Sequence, residues 1–359
     1  MVTLKFRIYP TKPQQDKLWE HSLKCNWLYN YFLDKRIEKY KLDKTTISRY
    51  TQQNELPTLK QSDPILKEIH SQVLQQITLR LDTSYKNFFR RVKQGGPPGF
   101  PKFRSCRNFF TLTYPQSGFK LNDTFDTKAY GNIKCKFHRE FDIKEVSRCS
   151  IINNGDKWYI SILLDKDIQK SDSDQIIGLD VGIKNIYALS NGKIKENQDH
   201  SKYFGKIISN LQSKRDSKCK KGSRRYKYLS KVIKRLYGVR NRKVNDFLHK
   251  VSKDLSSKYD TIVIEDLKLK KMPEGKNHSL NRRLRESNIG KFIGFLKYKT
   301  NNIIEVNPYN TSKTCSSCGE IHEIDLSVRI LSCDCGFISD RDVNAAINIF
   351  RLGQAKLIT

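Results

Sequence analysis

Two short apolar runs that each end in a carboxylate constrain this chain most: Ile176-Ile177-Gly178-Leu179-Asp180 and Thr261-Ile262-Val263-Ile264-Glu265. Runs this apolar and this short read as strands buried on both faces. An acid cannot stay inside such a strand, because an unpaired buried carboxylate costs several kcal/mol. Asp180 and Glu265 therefore belong at strand ends, on a sheet edge where a cation can neutralise them. A third acid, Asp342, opens the helical segment Asp342-Val343-Asn344-Ala345-Ala346-Ile347-Asn348-Ile349, whose alanines permit close packing against a sheet. Brought to one point, the three would hold two divalent cations, Mg²⁺ or Mn²⁺, about 3.5 to 4 Å apart, an arrangement that hydrolyses phosphodiesters. Each acid has a plainer reading as well. Asp342 suits a helix cap or first-turn acid, and Glu265 with Asp266 suits a solvated turn. Asp340, two residues upstream, competes with Asp342 for the third position.

Nine cysteines are too few and too odd in number for a disulfide scaffold, and four of them cluster. Cys315-Ser316-Ser317-Cys318-Gly319 and, further on, Cys333-Asp334-Cys335-Gly336 resemble the two knuckles of a tetrahedral S₄ zinc site. The second pair is CxC where C-x₂-C is usual. Three thiolates plus His322 is thus an alternative ligand set, and a solvated loop histidine is the plainer reading of His322. A closed four-ligand site makes this one Zn²⁺ structural. Cys25, Cys106, Cys135, Cys149 and Cys219 read as ordinary buried or half-buried residues.

The chain has 359 residues, with 68 Lys and Arg against 37 Asp and Glu, a net charge of +31 that predicts a polyanionic partner. Residues 201–250 hold seventeen Lys and Arg against two Asp, close to half of that excess. Leu229, Val232, Ile233, Leu236, Val244, Phe247, Leu248, Val251 and Leu255 keep a helical apolar stripe through the segment and beyond it. The basic faces suit a phosphate backbone, or, more plainly, a solvated helical hairpin turning at Lys221-Gly222-Ser223. Aromatic and basic residues interleave in Tyr85 to Arg91, in Phe100 to Arg107 with Phe109, and in Arg224 to Tyr228. Lys102, Arg104, Arg224, Arg225, Lys227 and Arg242 are the candidate nucleic-acid contacts.

Thr3 to Tyr9 alternates as a strand until Pro10 and Pro13, and residues 11–93 carry helical periodicity. Gly95 to Pro101 breaks it. Short alternating stretches follow at Phe109 to Tyr114, Ile133 to Phe137 and Trp158 to Leu164, predicting a small β-barrel that includes the N-terminal strand. Asp165 to Asp174 reads as a linker. Lys268 to Ser287 reads as a mobile lid over the acids or a plain surface loop. No apolar run approaches the ~18 residues of a membrane span, and Met1 to Pro10 lacks a secretory signal. The expectation is a cytoplasmic protein acting on chromosomal DNA, with no membrane partner.

IIGLDVGIKNIYALSNG, VIEDLKL, VNPYNTSKTCSSCG and CGFISDRDVNAAINI, together with KFRIYPTKPQQ, GFPKFRS and NRKVNDFLHKVS, resemble the motifs of TnpB proteins. These OrfB-type transposon nucleases are similar to compact type V CRISPR effectors. The resemblance implies a multidomain α/β and β-barrel protein. An RNase H-like RuvC nuclease domain would span 171–309 and 337–359, with a zinc-ribbon insert that binds target nucleic acid at 310–336. A wedge β-barrel would span 1–10 and 94–170, with a helical recognition lobe at 11–93. It also implies catalytic acids at Asp180, Glu265 and Asp342, a guide RNA from the transposon end, and cleavage of double-stranded DNA beside a target-adjacent motif. The protein would act as a monomer or a dimer. A strand-transfer transposase using the same acids, and a non-cleaving nucleic-acid-binding repressor on the same scaffold, are the alternatives.

Overall fold

In the computed structural model of the chain, the described residues are all but 156, 167–171, 199, 268–280, 282–286, 324, 326, 327 and 359. They form two compact units, 1–168 and 169–359. Among them, no helix is long and apolar enough to cross a membrane.

The first unit is built on β1 (Val2–Tyr9), whose alternation buries Leu4, Phe6 and Ile8. It joins β2 (Leu112–Tyr114), β3 (Lys120–Leu121), β4 (Thr124–Thr127), β5 (Gly131–Lys136), β6 (Val146–Asn153) and β7 (Trp158–Leu164) in one antiparallel sheet. The order is β2-β6-β7-β1-β5-β4-β3, which puts the N-terminal strand at the centre. Among the described residues no pairing joins β2 to β3, so the expected barrel is an open half-barrel. End strands of three and two residues cannot carry a hydrogen-bond ladder around the ring.

The inner face is covered instead by α1 (Lys12–Asp43) and α5 (Ser71–Lys93), joined by the short helices α2 (Arg49–Asn54), α3 (Leu56–Ser62) and α4 (Pro64–Glu68). Leu18, Leu28 and Phe32 of α1 and Val73, Ile77 and Leu81 of α5 share one core with Phe6, Ile133 and Ile160. Gln14 ties the helix start to the sheet: its amide accepts from the Thr11 N–H and donates to the carbonyls of Tyr130 and Asn132.

The second unit holds β8 (Ile176–Asp180), β9 (Asn185–Leu189), β10 (Ile194–Glu196), β11 (Thr261–Glu265) and β12 (Asn302–Val306), in the order β10-β9-β8-β11-β12. The first three run antiparallel, whereas β8, β11 and β12 are parallel. Between β10 and β11 lies a hairpin of two helices, α6 (His200–Lys218) and α7 (Arg224–Lys258), turning at Gly222 with φ +89°. From Val244 onward α7 packs its apolar stripe on the sheet with α8 (Ile289–Lys299), while Ile233 lies in a separate cluster with Phe204 and Ile208 of α6. A small hairpin, β13 (Ile330–Ser332) and β14 (Ile338–Asp340), leads into α9 (Arg341–Ile358). The stretch read as a lid lies outside the described residues except for Asn281 and Ser287.

Candidate active site and metal centre

Register and close packing bring the three acids together. In the parallel pair, Thr261 faces Ile176 and Val263 faces Gly178. By the same offset Glu265 stands level with Asp180, on strands about 4.8 Å apart. Gly178 and Asp180 share one face of β8, as Val263 and Glu265 share one face of β11. Helix α9 lies on that face. A Cβ on Gly178 would fall 2.2 Å from the Ala346 carbonyl oxygen, and one on Gly353 would fall 2.4 Å from Val263 Cγ2. Only glycine fits at either contact. Asp342 lies one turn before Ala346 and is thereby delivered to the same face.

The electrostatics reflect this convergence. Asp180 is held well above the usual carboxylate range, first by burial, then by the neighbouring charges of Glu265 and Asp342. Glu265 is raised by burial, against a hydrogen bond donated by the Thr311 hydroxyl. Asn185 Nδ2 donates to Asp342 Oδ2 at 2.9 Å, and Arg329 approaches its other oxygen at 4.0 Å. Burial, with the two neighbouring charges adding to it, keeps Asp180 from ionising readily, and divalent cations would relieve that penalty. Asp340 is engaged elsewhere. Its Oδ1 accepts from the N–H groups of Asp342 and Val343, at 2.8 and 3.4 Å, and so caps α9. Asp266, beside Glu265, is exposed.

The sulfurs of Cys315, Cys318, Cys333 and Cys335 all lie within 4.8 Å of one another, with Cys315 to Cys335 at 3.8 Å and Cys318 to Cys333 at 3.5 Å. Bonds of ~2.3 Å to a tetrahedral zinc place sulfurs about 3.8 Å apart, so the cluster is compatible with one ion. The shortened CxC half is absorbed by its turn. Gly319 N–H bonds back four residues to the Cys315 carbonyl, whereas Gly336 N–H bonds back three, to Cys333, and both glycines have φ +85°. Burial raises the Cys315 thiol, but hydrogen bonds from the backbone N–H groups of Cys318 and Ser317 and from the Cys318 and Cys333 side chains together bring it down to about 7. His322 falls in a separate grouping with Glu320 and Cys333. Of the other cysteines, Cys25 and Cys149 are buried and Cys135 and Cys219 half-buried, but Cys106 is exposed, contrary to expectation, because its loop carries no regular structure.

Comparison with known proteins adds the family. Residues 159–275 match the OrfB_IS605 family, described as "Probable transposase", and residues 290–349 match the Cas12f1-like TNB domain. Residues 2–45 match a family described as "Helix-turn-helix domain", although here that span is one strand and one long helix. A Streptomyces pristinaespiralis protein named "Putative RNA-guided DNA endonuclease" is 27% identical over 98% of this chain and 89% of its own length. The Escherichia coli K12 protein "Putative RNA-guided DNA endonuclease InsQ" is 28% identical over 98% of this chain and 92% of its own. The chain is a TnpB-type protein. Its fold is similar to that of Cas12f1 in a complex with sgRNA and target DNA, with a TM-score of 0.60 at 17% identity, covering 94% of this chain and 82% of that one.

Asn185 and Thr311, which hold two of the acids of this TnpB-type chain, lie within the motifs quoted above but were given no role by residue type alone. Two more such residues lie on α9. Buried Asn344 donates to the Thr314 carbonyl and accepts from the Ser316 N–H, each at 2.8 Å, and Asn348 donates to the carbonyls of Thr311 and Thr314. They fasten the cysteine loop to the helix that carries Asp342. An asparagine repeated four residues apart beside alanines was the available signal. The side chains of Lys102, Arg104, Arg224, Arg225, Lys227 and Arg242 are all exposed. Phe89, Phe100, Phe103 and Tyr228 are exposed as well, whereas Phe109 packs edge-on against Trp19 and Trp158.

Proposed function

We propose that this chain is an RNA-guided DNA endonuclease of a transposon, cutting target DNA at a RuvC-type two-metal site. The observation that carries the reading is the convergence of Asp180, Glu265 and Asp342 on one sheet face beneath α9. Residues 171–309 and 337–359 act as the RNase H-like nuclease domain, and 310–336 as a zinc-bearing insert. Residues 11–93 form the recognition lobe and 1–10 with 94–170 the wedge. Guide RNA and double-stranded DNA are the partners.

Asp180, Glu265 and Asp342 would hold two Mg²⁺ or Mn²⁺ ions, which when bound supply Lewis-acid charge beside the scissile phosphodiester. The chain's own residues set the geometry. Thr311 fixes the rotamer of Glu265, Asn185 fixes that of Asp342, and the Asp340 cap holds the first turn of α9 in place. Support for nucleic acid as the partner comes from the charge of +31 and from the exposed basic face of the α6–α7 hairpin.

The test is to sequence the RNA that copurifies with the protein, reprogram its guide segment, and offer plasmids carrying the matching target beside randomised flanks. Cleavage in Mg²⁺ that follows the guide and disappears in Asp180→Ala is the expected result. Strand-joined products, or binding of the target with no cut, would replace this reading with a transposase or a repressor respectively.

A further inference from the structure

Between α5 and the loop that follows it, a cavity of about 410 Å³ is lined by Ser84, Asn87, Arg91, Lys102, Phe103 and Arg104, among others. It falls in the size range of small-ligand sites, ~300–1,000 Å³. Its charge is one-sided. Asp82, on the same helix, is already engaged with Arg36 and Lys86. Among the described residues no carboxylate pairs with Arg91, Lys102 or Arg104, nor with Arg80 behind them. Arg80 and Arg104 both stand over the ring of Phe110, at 4.8 and 5.0 Å from its centroid, and Arg104 also stacks on Tyr29 at 4.7 Å.

The arrangement is held firmly. Arg80 donates to the Thr111 carbonyl at 2.8 Å and to the Thr113 hydroxyl at 2.5 Å. Burial, then Arg104 and Arg148, lower it to about 10, which leaves it charged at neutral pH. Asn30 grips the backbone of Arg104 from both sides, accepting from its N–H and donating to its carbonyl. Arg91 donates to the Gly99 carbonyl, its Nε is buried without a partner, and a Cβ at Gly99 would stand 2.9 Å from its guanidinium. Guanidinium groups gathered at a cavity without counter-charge fit one ligand chemistry, an anion with several acceptor oxygens.

We propose that this cavity seats one backbone phosphate of an unpaired nucleic-acid segment, gripped by Arg91, Lys102 and Arg104, with an adjoining base on the exposed ring of Phe103. An exposed ring at a phosphate site suits a splayed base rather than a stacked duplex. The proposal rests on the nucleic-acid partner of the proposed function and not on cutting.

The experiment uses the full chain freed of copurified nucleic acid, without Mg²⁺, and fluorescence anisotropy of labelled oligouridylate and oligothymidylate across a salt series. Arg104→Gln and Arg91→Gln are each expected to weaken binding about tenfold and to lower the salt slope by about 0.7 per lost phosphate contact. Phe103→Ala weakens binding with the slope kept, and Arg104→Lys keeps the slope. Lys41→Gln, an exposed change near the C-terminal end of α1, leaves both unaltered. Melting curves identify any variant that fails to fold. The oligonucleotide with the larger loss names the source of the phosphate. Wild-type affinity and slope on both probes in folded Arg104→Gln and Arg91→Gln would overturn the proposal, even in a protein that cuts DNA normally. A chain that cuts nothing but passes this test would overturn only the nuclease reading.

Discussion

At the scale of single residues, position relative to a strand or helix end decides what an acid does. Asp180 and Glu265 were legible in the sequence because a carboxylate closing an apolar strand has nowhere else to go. Asp340 and Asp342 were rivals by residue type, and only the family resemblance favoured Asp342; in the fold Asp340 caps the helix. The expected outcome is therefore asymmetric. Asp342→Asn should abolish cleavage without loss of stability. Asp340→Asn, which still caps, should cleave normally, and Asp340→Ala should cost about 1 kcal/mol in stability while retaining activity. Cleavage lost in Asp340→Asn would reverse the assignment.

His21 offers a second prediction at this scale. Burial, then Lys17, lowers it to about 4, against a weaker pull from Glu68, while its ring meets the Tyr130 hydroxyl at 2.7 Å. Because the folded pKa lies below the unfolded value of about 6.5, the unfolded chain takes up the proton first. Stability from this group is whole above pH ~6.5 and falls by about 3 kcal/mol as the pH drops towards 4. Melting temperatures of His21→Gln should accordingly fall less steeply with acid than those of wild type; parallel curves would refute the link.

Among elements, the contact of α9 with β8 and β11 sets the site. The alanines of α9 announced close packing, but the complementary glycine at Gly178 lay inside a strand, where only a three-dimensional neighbour reveals its purpose. Gly178→Ala would thrust a methyl group into the Ala346 carbonyl. Overpacking of this kind costs ~1–3 kcal/mol, and a displacement of ~1 Å at the reacting groups costs about a hundredfold in rate. Plasmid cleavage by a folded Gly178→Ala protein at wild-type rate would show that α9 does not position Asp342. Alternation also identified strands without revealing closure. β1, β5 and β7 were foreseen as short amphipathic runs, yet period-two patterning is the same in a ring and in an open sheet, and only the brevity of β2 and β3 decides. The CxC knuckle was ambiguous for a similar reason. Spacing counts residues, while the turn closed by Gly336 decides where the sulfurs point. Elemental analysis should find about one zinc per chain, lost in Cys318→Ser and kept in Cys106→Ser. Because Asn344 and Asn348 bind the same loop, zinc removal should also depress cleavage. A zinc-free protein with the same melting curve and full activity would refute a structural ion.

For the whole molecule, the charge excess was visible from composition, and the hairpin α6–α7 is where much of it resides. Helix α7 runs without a break for 35 residues, about 50 Å. Its C-terminal part is packed into the sheet beside β11, and among the described residues its N-terminal part packs with α6. Near the end of the stretch packed on α6 sits Gly238, with open space around its Cα apart from the Arg242 guanidinium. A glycine there weakens the helix by about 1 kcal/mol relative to alanine. The hairpin thus works as a lever arm whose softest point lies near its fulcrum. With a polyanion held at Arg224 and Arg225, as the proposed function would have it, compliance at Gly238 would set how much of its pull reaches the half of α7 that packs on the sheet.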